Sequence, residues 1–465
     1  MHGRTARRRE PARRGHRRRF AALTVALAAA AGTLVAAPAP AAAAPNFDGD
    51  PIHYWNGVLQ QAMRTRGGAP GPLARAAAML NGAMYDAESS YRLRWHRMTS
   101  EPYLEAYRYD AILEGPAEEE RVIGRTAYKI LLGIFKEQKP YLDQKFTDRF
   151  GTRPDEFDLL DHTVVNKVVA RMESARAADG FDDQRKYTGD KVPGAWRPTH
   201  YADLPDASCA QESQAATPYW GEVKPFAIPT GSEYRPPTPD LYGTYDRLLA
   251  STAYRDQVDK VRRAGAANAP ESERSRDQTA AAWFWANDAN GTYKPPGQIL
   301  QHTREVATAQ RLTTYQNARL FALVSLAMAD ASIAEWDVKY RTPIDLWRPV
   351  SAIRDGGLDR GWKPLAGTTP CFPAWASGHA SFAGAWAGVL EQYFGTGDIA
   401  VTLTTDEPKS PVKSRSFTSF RQAARENADS RIYLGVHYPW DATDGLAVGD
   451  KVADYVTTNK LKPIP

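Results

Sequence analysis

Apolar residues recur at helical spacing along most of the chain, and strand-like alternation is rare. This pattern predicts an all-α protein, a helical bundle fold made of two bundles that pack together. No short internal repeat is apparent. The segments predicted to be helical are 52–65, 72–89, 118–138, 156–179, 254–267, 276–288, 311–336, 379–393, 417–434 and 440–459.

The segment between about Gly180 and Asp240 interrupts this pattern and is rich in Pro, Gly, Tyr and Trp. Its aromatic residues, among them Trp196 and Trp220, argue against disorder, because disordered linkers contain few aromatic side chains. We therefore expect a long ordered loop excursion near 180–240 that packs on the helices.

The first 44 residues have the composition of an export signal. They hold nine Arg and one Glu, and an Ala-rich apolar run from Phe20 to about Ala37 precedes small residues suited to cleavage. The pair Arg17-Arg18 resembles a twin-arginine signal, which implies secretion of a folded protein. The alternatives are an uncleaved anchor and a disordered basic arm. Residues 45–465 are predicted to form a single helical domain.

The formal charge of +5 comes from this basic N-terminus, because the remaining chain carries 50 basic and 53 acidic side chains. A nucleic-acid partner is therefore not expected. No later stretch contains 18 consecutive apolar residues, so we expect a mature form without a membrane span. The two cysteines, Cys209 and Cys371, lack metal-ligand spacing, and outside the cell they are candidates for a disulfide that sequence alone does not decide.

Three segments within residues 336–445 place polar side chains in apolar surroundings. The second of them, Ser377-Gly378-His379, directly precedes a helical run. Ser377 therefore stands at an N-cap position, where exposed amides and the helix dipole favour an anion. Gly378 lets the backbone approach that anion closely, and His379 is a candidate proton donor and acceptor.

The third segment places His437 in a bend between two helices, with Asp441 in the first turn of the second helix. A hydrogen bond from one ring nitrogen to Asp441 would leave the other free as a nucleophile or metal ligand. Arg431 precedes His437, and Arg348 lies in the first segment beside Lys339 and Arg341. Several cations in one half-buried site require an anion such as phosphate or vanadate.

In this order the three segments resemble the signature of the superfamily that unites type 2 phosphatidic acid phosphatases, bacterial acid phosphatases and vanadium haloperoxidases. The signature reads K-x6-R-P, then P-S-G-H, then S-R-x5-H-x3-D. Its third element is complete from Ser430 to Asp441, while Ala376 replaces the proline of the second. In the first element Lys339 lies nine residues before Arg348, and Arg341 has the expected spacing of seven.

Further segments are similar to those of the bacterial vanadium-dependent haloperoxidases, a branch with an N-terminal half that the phosphatases lack. They are 81–86, 220–229, 275–286 and 319–322.

This resemblance implies that vanadate is the cofactor and that hydrogen peroxide, a halide and a small organic acceptor are the substrates. His437 would bind vanadium, and His379 would act as an acid–base group with Asp441 supporting His437. The vanadate oxygens would be held by Lys339 or Arg341 together with Arg348, Ser377, Gly378 and Arg431. Phe372 and Trp375 are candidates for a halide pocket or for plain core residues. A secreted phosphatase with His437 as nucleophile and an inactive oxyanion-binding or structural homologue are the alternatives.

Overall fold

The structure is a computed structural model that describes residues 49–109, 115–155, 162–204, 209–238 and 240–464. The predicted export signal, residues 1–44, lies outside the described residues. The helices are α1 Pro51–Arg66, α2 Pro70–Arg94, α3 Pro116–Ile134, α4 Lys139–Phe150, α5 His162–Arg176, α6 Tyr245–Ala250, α7 Thr252–Ala264, α8 Arg276–Phe284, α9 Lys294–Ala309, α10 Thr314–Arg341, α11 Pro349–Arg354, α12 Gly378–Phe394, α13 Phe420–Tyr433 and α14 Pro439–Asn459.

The prediction of an all-α fold is confirmed, although four helices (α4, α6, α9 and α11) and one small sheet were not predicted. Helix α9 was missed, because its first turn contains Pro295 and Pro296, which sequence patterns treat as breakers but which a first helical turn tolerates. Phe417 lies in a strand rather than a helix. Strands Val401–Thr404 (β1) and Ser414–Phe417 (β2) form a small antiparallel sheet, and the Ser419 side chain caps α13 immediately afterwards.

Helix α10 is the centre of the fold. It packs against α2 and against α12 and α14, and nearly all of its residues from Tyr315 to Lys339 are buried. Among the described residues it is the single helix long and apolar enough to cross a membrane, and 94% of the relevant window is buried inside the fold. A helix that is apolar on all sides and enclosed by other helices is typical of a core element.

Helices α2 and α10 carry equivalent residues 244 positions apart. Asp86 accepts hydrogen bonds from the amides of residues 103–105, and Asp330 does the same for residues 226–228. Asn81 and Ser325, which share that offset, donate and accept one hydrogen bond between them. Helices α2 and α10 thus each carry a buried aspartate that binds three successive amides of a loop segment, a correspondence that inspection of the sequence alone had not revealed.

The described parts of the excursion between residues 180 and 240 are ordered and packed on the helices. Trp220 is buried and donates a hydrogen bond from its indole nitrogen to Ser332, and Trp196 is buried beside the segment that follows α10. Cys209 and Cys371 form a disulfide. The excursion is therefore fixed to α10 and to the segment before α12 by side-chain contacts and by one covalent bond.

We predict that Asp330→Ala destabilises the protein by about 2–6 kcal/mol, because two buried amides and one partly buried amide lose their acceptor and each unsatisfied buried group costs about 1–3 kcal/mol. Chemical denaturation monitored by circular dichroism measures the change. Asp398→Ala, at an exposed position, is the matched control. Equal stability of the two variants would show that Asp330 does not hold the excursion in place.

Candidate active site

His437 lies in the bend between α13 and α14, as the sequence predicts. Its Nδ1 is 2.8 Å from Asp441 Oδ2, and the same oxygen accepts a hydrogen bond from the Tyr438 amide. The bend requires Gly435, which has a φ of 78°, because a Cβ at this position would lie 2.5 Å from the carbonyl oxygen of Gly265. Backbone and carboxylate together fix the direction of the imidazole.

The environment of the His437 imidazole favours its neutral form. Burial lowers its pKa well below the usual value, and the neighbouring cations Arg348, Lys339 and Arg431 lower it further. With Asp441 accepting the hydrogen of Nδ1, the lone pair resides on Nε2. Nε2 lies 3.1 Å from Arg348 Nη1. In this tautomer Nε2 accepts a hydrogen bond from Arg348 Nη1, and a metal or an electrophile would take the place of that hydrogen bond.

Two buried guanidinium groups are only partly satisfied by protein atoms. Arg348 donates from Nε to the Phe372 carbonyl and from Nη1 to the Val436 carbonyl, but its Nη2 has no partner among the described residues. Arg431 donates from Nη2 to Asp288 at 2.7 Å, while its Nε and Nη1 are likewise unpartnered in the described part of the chain. Both side chains are at most 2% exposed.

Lys339, not Arg341, joins this group. The Lys339 ammonium is fully buried, 3.0 Å from Glu335 Oε1, and donates to the carbonyls of residues 373, 374 and 376. Burial lowers its pKa to about 8, against the opposing effect of Glu335. Arg341 lies on the surface instead, paired with Glu222 and Asp337. The alternative assignment of an oxyanion-binding role to Arg341 is therefore corrected.

Ser377 and Gly378 form the start of α12 beside these cations. Ser377 is fully buried and its Oγ accepts from the Ala380 amide at 3.5 Å, a long hydrogen bond. A Cβ at Gly378 would lie 2.9 Å from Glu335 Oε2, so this position has no room for a side chain. The first-turn amides of the helix have no partner within the helix and favour a negative charge.

A cavity of about 590 Å³ reaches this group and is lined by Gly378, His379, Arg431 and His437. His379 Nε2 lies 3.0 Å from the Ala286 carbonyl oxygen, and burial and Arg431 lower the pKa of the ring to about 4. Phe372 also lines the cavity.

Trp375 does not line the cavity. Its indole is fully buried in a separate core cluster and donates to Asp444 at 2.8 Å. The structure thus corrects the assignment of Trp375 to a halide pocket, because its hydrogen bond directs the ring toward α14. Phe372 packs its ring 5.0 Å from that of Trp336 and 4.6 Å from the guanidinium carbon of Arg348.

The three unpartnered guanidinium nitrogens fit a tetrahedral oxyanion. A buried N–H group without a partner costs about 1–3 kcal/mol, and more when it is charged. An anion that accepts from Arg348 Nη2 and from Arg431 Nε and Nη1 removes this cost and offsets the positive charge at the same time.

Comparison with known proteins finds relatives of this chain. Residues 319–464 match the family model of the VCPO second helical-bundle domain. The vanadium chloroperoxidase of Curvularia inaequalis is 29% identical over 287 residues, which are 49% of this chain and 46% of that protein. The chain thus matches about half the length of this curated relative.

Two solved structures extend the likeness over most of the chain. A bacterial vanadium-dependent iodoperoxidase has a TM-score of 0.69 and 22% identity, covering 89% of this chain and 96% of its own. A holo-type bacterial vanadium-dependent chloroperoxidase has a TM-score of 0.63 and 17% identity, and the match covers 85% of this chain and 93% of that protein. The chain has the vanadium haloperoxidase fold.

Within this haloperoxidase fold, two acidic side chains of the site escaped the sequence analysis. Asp288 follows α8 and binds Arg431, and its Oδ2 is 4.0 Å from His379 Nε2. Glu335 lies one helical turn before Lys339, and burial raises its pKa to about 7 against the influence of Lys339. The spacing of four between Glu335 and Lys339 was a readable signal for a helical ion pair, whereas Asp288 gave none.

We predict that phosphate stabilises this haloperoxidase fold, because the anion binds the native arrangement of Arg348 and Arg431 and not the unfolded chain. At a concentration 100 times its Kd the gain is about 2.7 kcal/mol, measurable as a rise in the thermal unfolding midpoint.

The same titration separates the two candidate cations. Lys339→Met should weaken phosphate binding about tenfold, because a buried positive charge beside the anion is lost. Arg341→Met, the matched control, should leave binding unchanged because that residue lies on the surface. The opposite ranking would refute the assignment of Lys339.

Proposed function

We propose that this chain is a vanadate-dependent haloperoxidase that oxidises a halide with hydrogen peroxide to hypohalous acid or its equivalent, which then halogenates an organic acceptor. The observation that carries the proposal is the buried group of Arg348, Arg431 and Lys339 around His437, in which three guanidinium nitrogens lack partners among the described residues. The similarity of this chain to proteins named as vanadium chloroperoxidases and a vanadium-dependent iodoperoxidase supports the proposal.

The residues present suit vanadate. Arg348 and Arg431 would hold its oxygens, the buried charge of Lys339 would help to neutralise them, and the Ser377 hydroxyl and the Gly378 amide would donate further hydrogen bonds. His437 Nε2 would be the metal ligand, with Asp441 fixing the ring. When bound, vanadate supplies a Lewis acid that activates peroxide toward attack by halide.

His379 is the proposed acid–base group. The ring lines the cavity and is held by the Ala286 carbonyl, and the low pKa caused by burial and Arg431 leaves it neutral and able to accept a proton. Phe372, on the cavity wall, excludes water from one side of the site and is the remaining candidate for contact with the halide.

The basic and Ala-rich residues 1–44 support export as part of the proposal. The disulfide between Cys209 and Cys371 is compatible with an oxidising compartment outside the cytoplasm. We propose that the enzyme acts after secretion through a twin-arginine-type signal.

We predict that purified protein loaded with orthovanadate brominates an activated diketone when supplied with peroxide and bromide. His437→Ala should reduce turnover to background, because the proposed metal ligand is lost, and Arg341→Met is the matched control that retains turnover. Loss of absorbance of the diketone measures the rate.

A phosphatase assay on the apoprotein tests the alternative. If vanadate-loaded protein gives no bromination while the apoprotein hydrolyses a phosphomonoester rapidly with His437 as the essential nucleophile, the haloperoxidase proposal fails. If neither activity appears and vanadate does not bind, the chain is an inactive homologue.

A further inference from the structure

The cavity above His437 is larger than peroxide and halide require. Its volume is about 590 Å³, whereas a water-sized molecule occupies about 30 Å³. Pockets of about 300–1,000 Å³ are typical of sites that enclose an organic ligand. The cavity therefore has room for a third molecule beside the oxyanion, in addition to peroxide and halide.

One wall of the cavity is apolar. Leu434 and Val436 are buried in a small cluster against which Trp283 packs, and all three residues line the cavity together with Phe382. Trp283 remains partly exposed and presents a large aromatic surface. Such a wall favours a ligand with an aromatic or other apolar surface.

Another part of the cavity wall is held in place by contacts within the protein. Ala216 and Cys371 both line the cavity, and the Ala216 amide donates to the Cys371 carbonyl at 2.8 Å. The Ala216 carbonyl accepts from the Trp336 indole at 3.0 Å, and the disulfide to Cys209 ties the same segment covalently. Binding to a preformed cavity costs little ordering entropy.

The cavity lining also carries an exposed cation. Lys409 lies over the Trp283 ring at 4.8 Å, and no carboxylate is within ion-pair distance of its ammonium in the described ranges. The other lysine, Lys294, already donates to the Asp288 carbonyl and to Asn290. The Glu407 carboxylate also lines the cavity but accepts the Lys409 backbone amide. The Lys409 ammonium interacts with the Glu407 carboxylate only at a distance longer than an ion pair, and an ammonium so placed beside an indole favours a ligand that combines a ring with an anionic oxygen.

We propose that this cavity binds the organic acceptor, an aromatic compound with an ionisable oxygen, with its ring on Trp283 and its oxygen near Lys409. The inference rests on the proposed haloperoxidase function. Hypohalous acid generated at the oxyanion site transfers its halogen to a ring carbon: the carbon–halogen bond forms, the oxygen–halogen bond breaks, and the ring proton joins the hydroxide as water. Halogenation of a bound ring is then directed rather than random.

Binding is tested without turnover by calorimetric titration of the apoprotein with 2-naphthoate. We expect saturable binding that Trp283→Ala and Lys409→Met each weaken about fivefold, which corresponds to about 1 kcal/mol. Lys462→Met, an exposed lysine elsewhere, is the matched control and should bind like the original chain. The inference would be overturned if 2-naphthoate did not bind. It would also be overturned if Trp283→Ala and Lys409→Met both bound 2-naphthoate as tightly as the original chain does.

Product analysis gives the second readout. Vanadate-loaded enzyme should brominate 1-naphthol with a ratio of C2 to C4 products that differs from that of reagent hypobromous acid, and Lys409→Met should shift it toward the reagent ratio. Iodide oxidation by the same samples reports the proposed function separately. If iodide is oxidised but the product ratio equals that of the reagent, the acceptor site is wrong and the haloperoxidase proposal stands. If 2-naphthoate binds but vanadate-loaded protein oxidises no iodide, the haloperoxidase proposal is wrong and the cavity is a binding site for an aromatic anion without that reaction.

Discussion

The structure depends on buried positive charge that the protein only partly neutralises. Arg348 and Arg431 are removed from water, yet three of their nitrogens have no partner in the described part of the chain. An uncompensated buried charge costs several kcal/mol. The fold tolerates the arrangement because Glu335, Asp288 and Asp441 supply part of the counter-charge. An oxyanion would accept from the three remaining nitrogens, so the ligand would contribute to the stability of the site as well as to its chemistry.

Helix α10 connects this site to the rest of the molecule. Its middle carries Asp330, which holds the excursion, and its last turns carry Glu335 and Lys339, which face the start of α12. The excursion in turn reaches the cavity through Ala216 and the disulfide. A single rigid helix therefore positions both the oxyanion site and one wall of the cavity above it.

Sequence patterns predicted the parts of the site that depend on local geometry. The hydrogen bond between His437 and Asp441 follows from a spacing of four at a helix start, and the cap at Ser377 follows from its place before an apolar helix. Spacing did not decide between Lys339 and Arg341. The predicted helix ended at Trp336, whereas α10 continues to Arg341. On a continuous helix the side chains of Lys339 and Arg341 point about 200° apart, so Lys339 faces the core and Arg341 faces solvent. The contact of Arg431 with Asp288 is long-range and left no local pattern.

The central claim is that one oxyanion sits among these cations beneath His437. Anomalous diffraction from crystals soaked in tungstate, a tetrahedral oxyanion with a strong signal, tests it most directly. The account predicts a single strong peak within hydrogen-bonding distance of Arg348, Arg431 and the Ser377–Gly378 turn, next to His437 Nε2. A peak elsewhere, with this cluster closed on itself and free of density, would contradict it.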